Sequence, residues 1–549
     1  MGVLKGHSYS SYRTALGLGL LLVAVAFAGP ARAQDASDDA LLAKSLTDES
    51  FGNDSAEEGN SAVVPQTDAE IRDGYTLNAA EPSQIPAFAA PKLPSLTGYG
   101  YAVVRQKIGK TGGAKIVIGS LLNEPGFRPL TSNASVGLAE FSRRQGNGVR
   151  AIYVDSGVAT LKDLAQSVPA EDFAETQPGV FIARLPILVR HGAVLELTGS
   201  VKELRLSTER GAVLVVEGQV NAVDSAIIGW SEAAAAPAKL AEPATFRPFI
   251  VCWGGAQFNA ARMRFANLGY PATKAYGLTF SHYSDVQLQA RIWPRPMAAV
   301  TESTIEGLWY GVYAWKADKL VINANKIRNN QIYGVNIHDR STGVILANNE
   351  VTGTRVKYGI FVANDVVGSW IFGNKVSGNK RSGIVLDRRS QKAVVSGNVS
   401  AKNGADGIVV SESTDVLVWD NVLSGNQNHG IRLRNSTGAR IQDNVSLANG
   451  LTGLYGAVVD TRTARNRGTV AATGSKRLEM TVVGGAYTSN GAGPFGLDYP
   501  TRVAYYNVDL RTPQRALGFR LGGTLLPLQI TFLDILMAQS KVAVLQAKK

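Results

Sequence analysis

His338 and Asp339 stand side by side in the tract Asn336-Ile337-His338-Asp339-Arg340, and the ionisable residues that follow are mostly cations: Arg355 and Lys357, then Asp387 and Arg388, then His429, Arg432 and Arg434. A histidine and a carboxylate set among lysines and arginines suit proton abstraction at a carbon next to a carboxylate group. That reaction needs a cation to neutralise the carboxylate, a base on one face, and an acid on the other face or at a leaving group. Reprotonation from the opposite face epimerises the carbon, whereas loss of a 4-linked sugar is β-elimination, and the residue types alone leave both outcomes open. Tyr310, Tyr313 and Trp315 could stack on sugar rings or fill a core. Paired carboxylates of the glycoside hydrolase kind are missing. No spacing of His, Cys, Asp and Glu reads as a metal site, so no metal and no other cofactor is expected.

These groups need a scaffold that places separate parts of the chain one above another, and a repeat supplies it. Gly311, Gly334, Gly359, Gly383, Gly407, Gly430 and Gly453 are spaced 23, 25, 24, 24, 23 and 23 residues apart. Asn325, Asn349, Asn374, Asn398, Asn421 and Asn444 keep a second register at 24, 25, 24, 23 and 23. The segments between are short and β-branched, which excludes helical repeats, and no leucine lattice is present. The pattern predicts an all-β chain, a right-handed parallel β-helix with coils of roughly 24 residues, in which the asparagines stack at one corner. At a rise of about 4.8 Å per coil, residues 191–500 would form a face about 60 Å long, enough for an extended polymer. Equivalent positions of adjacent coils then gather His338, Asp339, Arg340, Arg355, Lys357, Asp387, Arg388, Arg389, His429, Arg432 and Arg434 into one cationic patch.

The rest of the chain divides around this body. Lys5 and Arg13 precede an apolar run from Ala15 to Ala28 and the small-residue site Ala31-Arg32-Ala33, the pattern of a cleaved secretory signal over 1–33 with the cut before Gln34. The run is too short to span a bilayer, so no membrane span is expected in the mature chain. Residues 34–95 read as an acidic low-complexity linker, 96–190 as an N-terminal cap region with a short helix beginning at Thr160-Leu-Lys-Asp163, and 501–549 as a C-terminal cap whose segment Leu526 to Gln546 is amphipathic. Cys252 is the sole cysteine, so folding proceeds without an intramolecular disulfide, and the thiol reads as buried. The formal charge of +12 falls to +9 when Lys5, Arg13 and Arg32 leave with the signal. A basic exported body points to an anionic polysaccharide partner rather than to nucleic acid.

The tracts Glu175-Thr-Gln-Pro-Gly-Val-Phe181, Val201-Lys-Glu-Leu-Arg-Leu206, Ser281-His-Tyr-Ser284, Ser382-Gly-Ile-Val-Leu-Asp-Arg388, His429-Gly-Ile-Arg432 and Val482-Val-Gly-Gly485 resemble, in order, the AlgG-type periplasmic mannuronan C5-epimerases of bacterial alginate biosynthesis. The resemblance runs from about Leu93 to the C-terminal region. It implies conversion of mannuronate to guluronate within polymannuronate, in the periplasm, on a β-helix with a cationic groove and no required calcium. The family signature Asp-Pro-His-Asp, followed by Arg-Ser, falls on Asn336-Ile337-His338-Asp339-Arg340-Ser341. The family's base histidine falls on Gln331, which cannot accept a proton at neutral pH, so the base becomes His338 or another group. The carboxylate-neutralising cation falls near Arg355 or Lys357. The catalytic set is thus expected among Gln331, Asn336, His338, Asp339, Arg355 and Lys357, with Tyr313, Arg340, Asp387, Arg388, His429, Arg432 and Arg434 binding polymer. Other periplasmic polysaccharide export proteins are candidate partners. A lyase or epimerase on another uronic acid polymer, and a non-catalytic binder or export scaffold, are the alternatives.

Overall fold

A computed structural model describes residues 66–80, 89–109, 112–121, 138–146, 148–240, 246–284, 288–459, 476–510, 520–539 and 541–548. The expected signal segment and its cleavage point lie outside the described residues, as does most of the expected linker. The body is a parallel β-helix with three strand faces. The first carries Gly277–Ser281, Tyr310–Trp315, Tyr333–His338, Ile360–Ala363, Ile384–Asp387, Ile408–Ser411, Ile431–Arg434 and Thr452–Ala457, each paired in parallel with the next. The second stacks Met297–Thr301, Asp318–Asn323, Ile345–Ala347, Trp370–Phe372 and their successors. The third stacks Thr304–Glu306, Lys326–Arg328, Glu350–Thr352, Lys375–Ser377 and theirs. Inward residues such as Val335, Ile337, Ile360, Val362, Ile384 and Leu386 are almost wholly buried in one continuous core.

Both sequence registers have a physical cause. A Cβ on Gly359 would come within 2.6 Å of Val376 Cγ1 and 2.8 Å of the Gly383 carbonyl oxygen, so the start of each first-face strand packs directly on the next coil. Asn349 donates from Nδ2 to Asn374 Oδ1 at 3.0 Å, and Asn374 does the same to Asn398, Asn398 to Asn421, and Asn421 to Asn444. A second ladder, not singled out from the spacing, links Asn379, Asn403, Asn426, Asn449 and Asn490 at 2.9–3.0 Å. Every rung is buried, so each amide replaces water at a corner that water does not reach.

The boundaries differ from those expected at both ends. Coil stacking does not begin at residue 191: the strand Arg150–Thr160 already pairs in parallel with Ile187–Val189 and Val194–Leu197. The helix Leu161–Ser167, capped by Thr160 and Asp163 as its sequence signals, lays Leu161 and Leu164 into the core. Part of the expected linker is structured. Asp68–Gly74 is a helix capped by Thr67 and Glu70, and Tyr75–Ala79 pairs antiparallel with Val542–Ala547. That last strand in turn pairs antiparallel with Arg502–Tyr506, so both ends of the chain close one end of the solenoid and cover its free edge. Low local hydrophobicity hid this segment, because its partner lies more than 460 residues away. Within the amphipathic tail, Phe532 and Leu536 plug the end of the core before the strand begins.

Candidate functional site

Strand alternation turns every second first-face residue outward, and register aligns these residues in columns. One column runs Tyr153, Leu188, Val215, Val251, Thr279, Tyr313, Asn336, Phe361, Val385, Val409, Arg432, Tyr455. Its first half is sealed. Phe141, Phe246, Phe249, Tyr270, Ala272, Ala275 and Trp293 pack over Tyr153, Leu188, Val215 and Val251 as a second hydrophobic cluster. Arg247 pins this cover: it is 2% exposed and donates to the carbonyls of Gly269, Leu268 and Gly307 at 2.8–3.1 Å. Among the described residues the hydrophobic cover ends at Tyr276, which stacks on Tyr310 with ring centroids 4.6 Å apart.

Beyond that point the column becomes the floor of a groove, and the neighbouring outward column supplies one wall. Ser281, Trp315, His338, Ala363 and Asp387 align there in consecutive coils, with Ser411 aligned to Arg434 further along. The His338 side chain is 19% exposed. Its ring lies 5.6 Å from that of Tyr313 and 5.9 Å from that of Phe361, its Nδ1 is 3.4 Å from Asn364 Nδ2, and Asp339 Oδ2 is 3.8 Å away. Asn336 forms the floor between Tyr313 and Phe361, 2% exposed, its Oδ1 buried and without a hydrogen-bond partner.

Two residues overlooked in the sequence complete this end. Lys274 donates to Tyr313 Oη at 3.2 Å, and its Nζ lies 4.3 Å from the Trp315 ring centroid; Lys316 Nζ lies 4.2 Å from the same centroid. Burial pushes the Asp339 carboxyl above the usual carboxylate range, against the opposing pull of Lys274, Arg388 and Lys316. Lys316 occupies the same repeat position as Asp339, one coil earlier, so the period contained a signal for it. Lys274 sits in the irregular cover, where no period reaches.

Not all of the expected residues meet. The amide of Arg355 donates to the Asn330 carbonyl and that of Lys357 to the Ile332 carbonyl, which puts both beside Gln331 at the start of the strands. His338 ends the strand Tyr333–His338, roughly 16 Å across the groove at about 3.3 Å per residue. Lys357 is 9% exposed with Nζ 5.5 Å from the Tyr333 ring, while Arg355 is exposed. Gln331, Arg355 and Lys357 therefore stand at the start of the first-face strands, at the opposite end of Tyr333–His338 from His338. Asp387 and Arg388 pair at 3.1 Å on the His338 side. Arg340 is exposed, and its carbonyl accepts from Arg295 at 2.6 Å.

Arg432 and Arg434 point outward together, as their alternation predicts, four coils beyond His338. Arg432 reaches the fully buried Asp406 at 3.0 Å, and Arg434 donates to Ser411 Oγ at 3.0 and 2.9 Å. His429 lines a pocket at this end with Tyr455, Asp498 and Arg520. It is 3% exposed, stacks on Tyr455 at 4.5 Å, and shares a 2.7 Å hydrogen bond with Thr452 Oγ1. Cys252 is inward and buried, and burial raises its thiol far from reactivity.

Comparison with known proteins agrees with this architecture. A family described as periplasmic copper-binding protein (NosD) matches residues 282–428 and 388–469. A mannuronan C5-epimerase of Pseudomonas putida is 38% identical over 473 residues, covering 86% of this chain and 90% of that one. The mannuronan C5-epimerase AlgG of Azotobacter vinelandii is 40% identical over 455 residues, covering 83% and 86%. The crystal structure of the periplasmic alginate epimerase AlgG superimposes with a TM-score of 0.74 at 36% identity, over 77% of this chain and 99% of that one. With identity and coverage of this extent, on the fold that its repeat period encodes, the chain belongs to the mannuronan C5-epimerase family.

Proposed function

We propose that this protein converts mannuronate to guluronate at C5 within polymannuronate, in the periplasm, during alginate biosynthesis. The observation that carries the reading is His338, partly exposed on the wall of a groove floored by Tyr313, Asn336 and Phe361, on a chain about 38% identical to a named epimerase. His338 takes the C5 proton, and the electron pair is delocalised into the neutralised C6 carboxylate. A proton returned to the opposite face inverts the carbon while the bond to O4 stays intact. Tyr313 supplies a hydroxyl for that face, held by Lys274.

The groove also fits a polyanion. Successive units of an extended 1,4-linked mannuronan turn their carboxylates to alternate edges, and cations stand on both rims: Lys357 and Arg355 on one, Arg388 and Arg434 on the other. Asp387 and Arg340 contact polymer hydroxyls and carboxylates on the His338 side. The leader removed before Gln34, the division into caps and body, and contacts with other periplasmic export proteins belong to the same proposal.

The test is incubation of the mature protein with polymannuronate in deuterated water, followed by the anomeric proton spectrum. Guluronate carrying deuterium at C5 supports the reading. Unsaturated chain ends would replace it with a lyase, and binding without spectral change with a polymer scaffold.

A further inference from the structure

Resting on the reading of this protein as a polymannuronate epimerase, we propose that the far end of the groove holds a second uronate-binding subsite, formed by Arg520, Asp498, Tyr455 and His429. The outward column that passes Asn336 continues through Phe361, Val385, Val409 and Arg432 to Tyr455, and then meets two glycines, Gly496 and Gly522. With no side chains at those two positions, the floor drops into a hollow of about 530 Å³, inside the range of small-molecule sites. A Cβ on Gly496 would stand 3.1 Å from Tyr455 Cδ2, so the Tyr455 ring borders the space that the glycine leaves. Leu521 and Leu526 of the C-terminal cap line the same hollow.

The lining suits an acidic sugar. Arg520 supplies a guanidinium for a carboxylate, and Asp498, which accepts from the Tyr455 hydroxyl, supplies oxygens for ring hydroxyls. His429 stacks on Tyr455 at 4.5 Å, and its Nδ1 accepts from the Thr452 amide at 3.2 Å, which puts the ring N–H on Nε2. A carboxylate in the lining disfavours a bare inorganic anion, and an arginine disfavours a metal ion, so the mixed set selects a ligand bearing both an acid group and hydroxyls. Beside the hollow, Arg432 is fixed by the fully buried Asp406 at 3.0 Å and carries positive charge back along the floor. Distance decides what the subsite does. Tyr455 lies five coils beyond Asn336, about 24 Å at the coil rise, so a sugar held there is about five units from the reacting one. In the other direction the hydrophobic cover ends one coil before Asn336, where Tyr276 stacks on Tyr310. Polymer at His338 therefore gains its remote contacts on the side of the C-terminal cap, and the subsite favours long chains over short ones.

The test is titration calorimetry of the wild-type protein, Arg520→Ala and Gly522→Val with tetramannuronate and octamannuronate, alongside the epimerisation assay. Arg520 is exposed, so its truncation leaves the fold in place; a Cβ at residue 522 meets nothing closer than Gly496 Cα at 3.4 Å, so valine there fills the hollow. The wild-type protein should bind the octamer more tightly than the tetramer. Both variants should lower octamer affinity about fivefold, the scale of one partly screened ion pair, and narrow its lead over the tetramer. Equal octamer affinity in wild type and Arg520→Ala, or an equal loss for both lengths, overturns the subsite and leaves the epimerase reading standing. Absence of guluronate from the wild-type reaction overturns the epimerase reading, whereas length-dependent binding that requires Arg520 would still uphold the subsite, on a polymer scaffold.

Discussion

The two halves of the first face are built on one outward column, yet they do opposite work. From Tyr153 to Thr279 the outward side chains lie under a cover of aromatic residues and are 0–2% exposed; from Tyr313 to Val409 they are 2–6% exposed, and part-exposed charges rather than a hydrophobic cover flank them. The strands themselves differ little. What separates them is whether an irregular segment lies on top, and that segment is fixed by a few contacts: the Arg247 clamp, the stacking of Tyr276 on Tyr310, and the stacking of His191 on Trp293 at 3.5 Å. A solenoid face is uniform by construction, so a site arises where the covering stops. His338 falls one coil past that edge, close enough for the cover to contribute a side chain to it.

Four measurements would break or sharpen this contrast. The largest effect is expected from His338→Ala, which should lower kcat by about 10²–10⁴-fold, the range for a lost acid–base group, and leave the unfolding midpoint unchanged because the side chain stands at the groove wall. Retained epimerisation in that variant would move the base elsewhere. Arg247→Met removes one donor from each of three carbonyls, of which Leu268 O keeps the amide of Trp309, and should cost about 3 kcal/mol of stability by denaturant titration. It should also slow epimerisation, since the loop bearing Lys274 is released; a stability loss with full activity would disconnect the cover from the site.

Arg434→Ala acts farther out, about 19 Å from His338 at the coil rise. It should raise KM for long polymannuronate about fivefold, as for one partly screened ion pair, and leave a trimer unaffected. The smallest effect is acid weakening of the cover. Burial lowers His191 to about 4, whereas in the unfolded chain it titrates near the ordinary value of 6.5. The unfolded state therefore binds the proton first, and the stabilisation is complete above pH 6.5 and declines as pH falls toward 4. Hydrogen exchange at pH 7 and pH 5 should show earlier opening of the covered coils than of the coils around Asn398; equal loosening would assign the acid effect to other groups.

Much of the architecture was legible because a repeat reports itself. Glycines and asparagines at a period of about 24 announced the coils and one of the two amide ladders, and the Thr160 capping box announced its helix. Tyr75–Ala79 was not legible, since its meaning depends on a strand at the other end of the chain. Asn336, His338 and Asp339 were identified in sequence and lie on one strand end; Lys357 was grouped with them through the family resemblance, and the length of Tyr333–His338 separates its backbone from that of His338.

By itself the sequence determined the coil, the direction of each side chain within it and the cationic character of the face, because period, alternation and charge are local properties that stacking repeats without change. Tertiary structure alone decided which stretch of the face stays open, which end of the strands each cation occupies and that Lys274 reaches Tyr313 and Trp315. Those outcomes depend on an aperiodic cover folding back over coils distant in sequence, and no local pattern encodes where such a segment ends.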